Sequence, residues 1–393
     1  MKDRVRHESV HPRLVARALA TGAHAAVDGV SRDAIASDAT EIAIERARTS
    51  PYQTGSVAAV APVRRWPRGT LYQLEHHLDV VHQRITAIKL EASRVLIGLD
   101  ALVHGLLLGL FAGGHVLVDG PPGSARTLVA RTLAATLGAT FARIELTPDL
   151  AVSDLVGSIQ AGRSQDDSIL RRGPIFANVV LADGLDRGPP SVQAALLEAM
   201  RESGCRMGEH LVGLPTPFFV VATSTWPPHE RTTPIRAAHL DRFLLSLVSH
   251  APHQADELRI LDQAAGAAPE PVAAARLTPA GVVHMREVMR QILVEDQIKR
   301  YAIDVVTAIR DRTSHCAADP LLFVGHGAPV AAAIALVKVA RAHALLDNRA
   351  YVAPVDVKRI APAVLRHRIA LRSDDTTPLD EVIAWIVDRV PVP

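Results

Sequence analysis

An apolar run from His115 to Asp119 breaks at Gly120-Pro121-Pro122-Gly123-Ser124-Ala125-Arg126-Thr127 and resumes as a helical pattern over Thr127 to Leu137, closed by Gly138. A strand that passes through a Gly/Pro-rich turn straight into a helix gathers free backbone N–H groups and the positive end of a helix dipole at one point. Such a unit suits an anion, and it commits the chain to a parallel α/β sheet, since the next parallel strand must be reached through a crossover. The loop meets the phosphate-loop pattern GxxxxGK[ST] at Gly120 and Thr127. It departs from it at Ala125, in place of glycine, and at Arg126, in place of lysine.

Four more short apolar runs follow at spacings that leave room for helices: Phe141 to Thr147, Asn178 to Asp183, Phe218 to Thr225 and Arg242 to Ser249. Five buried strands are expected. A helix is expected over Pro190 to Ser203, where Val192, Ala195, Leu196 and Ala199 recur at helical spacing. Arg201 to Leu214, punctuated by Gly204, Gly208 and Gly213, reads as a β-hairpin inserted before the fourth strand. After residue 250 the strand runs stop. Thr278-Pro279 then gives a helix cap with proline at the first helical position, and an Ala/Leu/Val/Arg-rich helical region follows. The expected organisation is an extension and linker, partly disordered, over 1–70; an α/β nucleotide-binding domain over 71–250; a linker over 251–275; and a helical domain over 276–393.

Composition removes several function classes. The chain has 393 residues, 48% of them hydrophobic, so it can build a large core. Basic residues number 43 against 41 acidic, which is no polyelectrolyte for nucleic acid or anionic lipid. Cys205 and Cys316 lie far apart without ligand spacing. The longest apolar run, Leu106 to Ala112, is far short of the roughly 20 residues that span a bilayer. Met1 to His7 leads into no apolar stretch like a signal-peptide core, so a reducing cytoplasm is the expected location. His76, His77 and His82 lack the HExxH spacing and are read as structural or exposed. Arg64-Arg65 and Arg171-Arg172 are too small for a nucleic-acid footprint.

Residues 85 to 372 resemble the MoxR family of AAA+ ATPases. The stretches that carry the resemblance are GGHVLVDGPPG (113–123), ELTPDLAVSDLVG (145–157), GPIFANVVLAD (173–183), QAALLEAM (193–200), LPTPFFVVAT (214–223) and LDRFLL (240–245), with YVAPVDV (351–357) and VLRHRI (364–369) resembling the lid. The resemblance implies a P-loop parallel-sheet domain followed by a smaller all-α lid. It implies a ring, hexameric and built from one or more kinds of subunit, that acts as a chaperone on protein clients, including ones with a von Willebrand factor A domain. ATP and Mg²⁺ are the implied cofactors, held by Gly120, Pro121, Pro122, Gly123, Ser124, Ala125, Arg126, Thr127, Asp183 and Thr225, with Thr127 and Asp183 on the metal.

Several of those positions are altered. Arg126 puts a wide planar guanidinium where a compact ammonium fits under the phosphates, and the chain has no lysine between residues 90 and 298 to replace it. Asp183 keeps the Walker B aspartate, but the catalytic glutamate that follows it in active relatives is Gly184. Loss of a positioned base lowers rate by about 10²–10⁴. Asp186, two residues on, is a minority substitute. Thr225 stands at the asparagine that senses the γ-phosphate, and Val330 at the second-domain arginine. Arg242 matches the arginine finger that reaches a neighbouring subunit; an ion pair with a local carboxylate is the alternative. Three readings result: a MoxR-like chaperone component with weak ATP binding and little or no hydrolysis, an active ATPase with unusual catalytic residues, and a nucleotide-independent assembly scaffold.

Overall fold

The computed structural model describes residues 68–121, 123–161, 168–208, 210–225, 235–265, 272–310, 324–326, 328–371 and 378–393. The extension up to residue 67, the Arg64-Arg65 pair, Pro122 and Cys316 lie outside the described residues. Helices α1 (Arg68–Ser93) and α2 (Asp100–Phe111) come first, parted near Gly98. Strand β1 (Val116–Gly120) leads through the Gly/Pro loop into α3 (Arg126–Thr136), then β2 (Phe141–Glu145), α4 (Val152–Val156), the antiparallel pair β3 (Gly157–Ala161) and β4 (Ser168–Arg172), and β5 (Val179–Asp183). A 3₁₀ turn (Leu185–Arg187), α5 (Pro190–Glu202), the hairpin of β6 (Gly204–Met207) and β7 (His210–Gly213), β8 (Phe219–Thr225), α6 (Ala237–Leu240) and β9 (Leu245–Val248) complete the α/β part.

Beyond it lie α7 (Gln254–Ala265), α8 (Pro279–Gln291), α9 (Asp296–Arg310), β10 (Val324–His326), α10 (Val330–Leu346), α11 (Pro354–Leu365), β11 (Ala370–Leu371) and α12 (Leu379–Arg389). Thr278 caps α8 by accepting from the Gly281 N–H at 3.2 Å, with Pro279 at the first helical position. The lid is helical apart from one short antiparallel pair, β10 with β11.

The main sheet runs β2-β5-β8-β1-β9, every pair parallel. Alternation along the strands feeds two cores, as expected for a parallel sheet covered on both faces. Val116, Val118, Val179, Leu181, Phe219 and Val221 face one cluster, while Leu117, Val180, Ala182, Val220 and Ala222 face the other. The second cluster is closed by α5 through Val192, Leu196 and Ala199. The first is larger: it runs from Leu74 and Ile85 of α1 and Leu107 and Phe111 of α2 to Leu336 of α10 and Ile383 of α12. The two opening helices therefore share the lid's core. Arg286 of α8 seals this contact by donating to the Leu110 carbonyl at 2.9 Å, at the end of α2.

All five runs read as strands form the sheet. The last begins at Leu245 rather than Arg242, because Arg242 to Leu244 are held in a turn below. Helices α1 and α2 are separate because the chain turns between them at Gly98, with φ +71°. The span read as a linker, 251–275, holds α7, on which no residue is buried.

Candidate functional site

The carboxyl ends of four parallel strands meet at one edge. Gly120 of β1 lies in register with Thr225 of β8, and Asp183 of β5 with Glu145 of β2. In open parallel sheets ligands bind at this edge. The phosphate loop leaves β1 here and enters α3 through Ala125, whose backbone is left-handed at φ +54°. That is the position where the phosphate-loop pattern carries glycine, and alanine holds the conformation at a steric penalty. Gly123, at φ +82°, has no heavy atom within 4 Å of where a Cβ would stand, so the loop presents bare backbone.

Arg126, the first residue of α3, is anchored to the neighbouring strand: Nη1 donates to the Ser224 carbonyl of β8 at 2.8 Å. Burial lowers the Arg126 pKa, against the fields of Asp183, Asp119 and Asp186, which raise it. Asp119, in turn, accepts from the hydroxyls of Ser224 and Ser246, the latter at 2.9 Å, tying β1 to both its neighbours.

Asp183 has both oxygens engaged. Oδ1 accepts from the Thr223 hydroxyl at 2.8 Å, and Thr223 Oγ1 itself accepts from the Gly184 N–H at 2.9 Å. Oδ2 accepts twice from Arg143 of β2, from Nε at 3.1 Å and Nη2 at 2.6 Å. Burial pushes the Asp183 carboxyl up, but the hydrogen bonds from Arg143 and Thr223 and the charges of Arg143 and Arg126 hold it below its ordinary value. Gly184 is left-handed at φ +76°, and a Cβ there would sit inside the Arg187 guanidinium. The residue after Asp183 is thus a glycine whose φ strains any side chain, with the Arg187 guanidinium where a Cβ would stand.

The edge of the site nearest the lid is held from the lid itself. Arg368 donates to Asp241 at 2.8 Å and to the carbonyls of Phe243 at 2.7 Å, Leu244 at 3.2 Å and Val364; His367 bonds the Phe243 carbonyl at 2.9 Å; Arg366 donates to the Ser246 carbonyl at 2.8 Å and to Asp380. These ties grip the residues on either side of Arg242. Asp241 pairs with Arg368, and among the described residues no carboxylate pairs with Arg242. Val330 opens α10 and is 62% exposed. The Thr225 backbone ends β8 beside Gly120; its side chain and Pro122 are outside the described residues.

Phosphate groups suit the loop: Gly123 leaves it open, the α3 N-terminus points into it, and the buried Ser124 hydroxyl has no hydrogen-bond partner among the described residues. A magnesium ion suits the donor set poorly, because Asp183, which would hold it with Thr127, already carries a guanidinium on one oxygen and a hydroxyl on the other. Sequence reasoning passed over Arg143. Its signal was a charged pair, Arg143 and Glu145, on alternate positions of a strand otherwise suited to a buried sheet. His76 and His77 are exposed, and among the described residues the one cluster at metal-ligating distances is His343, Asp347 and Asp356, whose Asp356 is claimed by Arg349 and the Ala353 N–H.

Comparison with known proteins agrees with this geometry. The model of the ATPase family associated with various cellular activities matches residues 115–245, and that of the AAA lid domain matches residues 323–384. Chaperone MoxR1 of Mycobacterium tuberculosis is 35% identical over 338 residues, covering 86% of this chain and 87% of that protein. Protein MoxR of Methylorubrum extorquens is 27% identical, over 77% of this chain and 93% of its own length. The crystal structure of a proposed ATPase from Cytophaga hutchinsonii superposes with a TM-score of 0.75 at 31% identity, covering 82% of this chain and 99% of that one. With the mycobacterial relative matched over most of both chains, and with a Gly/Pro loop after β1, a parallel sheet and a helical lid in this order, the chain belongs to the MoxR family of AAA+ ATPases.

Proposed function

We propose that this chain is a MoxR-type chaperone or remodelling component that binds ATP weakly and hydrolyses little or none of it. The observation that carries the reading is Gly184: where hydrolysis requires a carboxylate to orient water, the chain has a left-handed glycine with Arg187 packed over it. Arg126 adds to this. Its guanidinium donates one N–H to the Ser224 carbonyl and is wider and flatter than the ammonium that fits beneath the phosphates. Asp186 is buried and lies within the field felt by Arg126, but it belongs to the 3₁₀ turn that Gly184 opens, two residues beyond the lost glutamate position.

The name of the mycobacterial relative, a chaperone, supports protein clients, and partners with a von Willebrand factor A domain are part of the proposal. So is assembly into a ring, with six subunits, in the cytoplasm. Among the described residues no helix is long and apolar enough to cross a membrane. Arg242, gripped on both sides by the lid and paired with no described carboxylate, supports a ring of mixed subunits: this chain supplies a finger to a neighbour while its own site stays silent.

Thermal melting with and without ATP, run beside a phosphate-release assay, tests the reading. A melting temperature that rises with ATP, with release at background, is expected. No shift at millimolar ATP supports the scaffold reading instead, and release above about 1 s⁻¹ supports the active ATPase.

A further inference from the structure

The cation that Asp183 holds is an arginine. In the usual arrangement of this site a metal ion lies between the Walker B carboxylate and the phosphates, and a second carboxylate next to it balances the charge. Here the second carboxylate is absent at Gly184, where Arg187 packs instead, and two guanidiniums act on the first: Arg143 in a two-pronged ion pair and Arg126 near enough for its charge to lower the Asp183 carboxyl. The relay from the Gly184 N–H through the Thr223 hydroxyl fixes Oδ1 as an acceptor turned into the protein. Oδ2 is the oxygen left, and Arg143 has it.

We propose that the site takes the nucleoside phosphate without a metal ion, with Arg143 standing where Mg²⁺ would stand. This rests on the reading that the chain binds nucleotide. Magnesium demands octahedral oxygen ligands and sheds water reluctantly. Entering here it meets two guanidiniums and one engaged carboxylate. A guanidinium is weakly hydrated, already in place, and offers unused donors to phosphate oxygens at no dehydration penalty comparable to that of the metal. Arg143 is 44% exposed, so its free N–H groups are open to a phosphate that approaches Asp183.

Titration calorimetry of ATP into the full chain, once with excess EDTA and once with excess MgCl₂, reads this directly. The expected result is a dissociation constant that differs by less than about threefold between the two. Arg143→Ala, whose fold is checked by its melting curve, is expected to bind about tenfold more weakly in EDTA and to regain affinity with MgCl₂, because Oδ2 is then free. Wild type binding at least about tenfold tighter with MgCl₂ overturns the proposal and leaves the weak-binding function standing. Wild type silent under both conditions overturns nucleotide binding itself, and the proposal with it. Arg143→Ala matching wild type in both buffers also overturns it.

Discussion

Arg126 and Ser224 are joined across the sheet edge by a 2.8 Å hydrogen bond from guanidinium to backbone carbonyl, and that bond anchors the phosphate-loop cation to the end of β8. Asp183, Asp119 and Asp186 stabilise the charge where it lies. Arg126→Lys replaces a wide fork with a point charge on a flexible stem. It is expected to bind ATP about tenfold more tightly than wild type, measured by calorimetry. An unchanged affinity would mean that the loop, and not its cation, limits binding.

Gly184→Glu is expected to fail as a repair. The residue must leave φ +76° or accept strain of about 1–3 kcal/mol, and its Cβ displaces the Arg187 guanidinium. A lower urea midpoint without gained phosphate release is the predicted outcome, read by chemical denaturation and a turnover assay.

The lid turn is expected to be a strong point of the fold. The Arg368 side chain is 3% exposed and satisfies Asp241 together with three backbone carbonyls. Arg368→Leu removes a buried cation from the part-exposed Asp241 and from the Leu244 carbonyl, while His367 still holds the Phe243 carbonyl, and a loss of about 1–3 kcal/mol is expected in a denaturation experiment. Arg310→Leu, at the C-terminal end of α9 where the side chain is exposed, is the matched control and should change stability by less than about 0.5 kcal/mol.

Acid should weaken the protein through its buried histidines. His115 accepts from the Val220 N–H at 3.0 Å and bonds the Met200 carbonyl at 3.1 Å, which requires the neutral ring. Burial pushes its pKa down to about 4, and burial likewise lowers His104 to about 4 and His367 to about 3. The unfolded chain takes up these protons near pH 6.5 and the folded chain does not until lower pH. The stability they carry is therefore complete above about pH 6.5 and falls between there and about pH 4, by up to about 1.4 kcal/mol per histidine per pH unit. Melting temperatures from pH 8 to 4 should show this slope, and His115→Gln should reduce it.

How far the sequence could be read followed the range of the interactions. The five sheet strands were legible because each is an apolar run bounded by turn residues, and α5 because its apolar positions recur at helical spacing. The β6–β7 hairpin was marked by its glycines. By contrast β3 and β4, Gly-Ser-Ile-Gln-Ala and Ser-Ile-Leu-Arg-Arg, are five-residue segments whose composition does not alternate clearly between apolar and polar. That α1 and α2 close the lid's core was not legible either, since an apolar helix face does not name its partner. At the site, the changes at Arg126 and Gly184 were plain in the chain. The Arg143 to Asp183 ion pair joins residues 40 positions apart and comes into being only when β2 aligns with β5.

Steady-state phosphate release from the full chain at saturating ATP and MgCl₂ bears most directly on the central claim, that the family's ATPase site is present here without its turnover. Release at background, below about 10⁻² s⁻¹, is the predicted result, since the site lacks a carboxylate at residue 184 and its loop cation lies on Ser224. Sustained release above about 1 s⁻¹ that is lost in Asp183→Asn would contradict it.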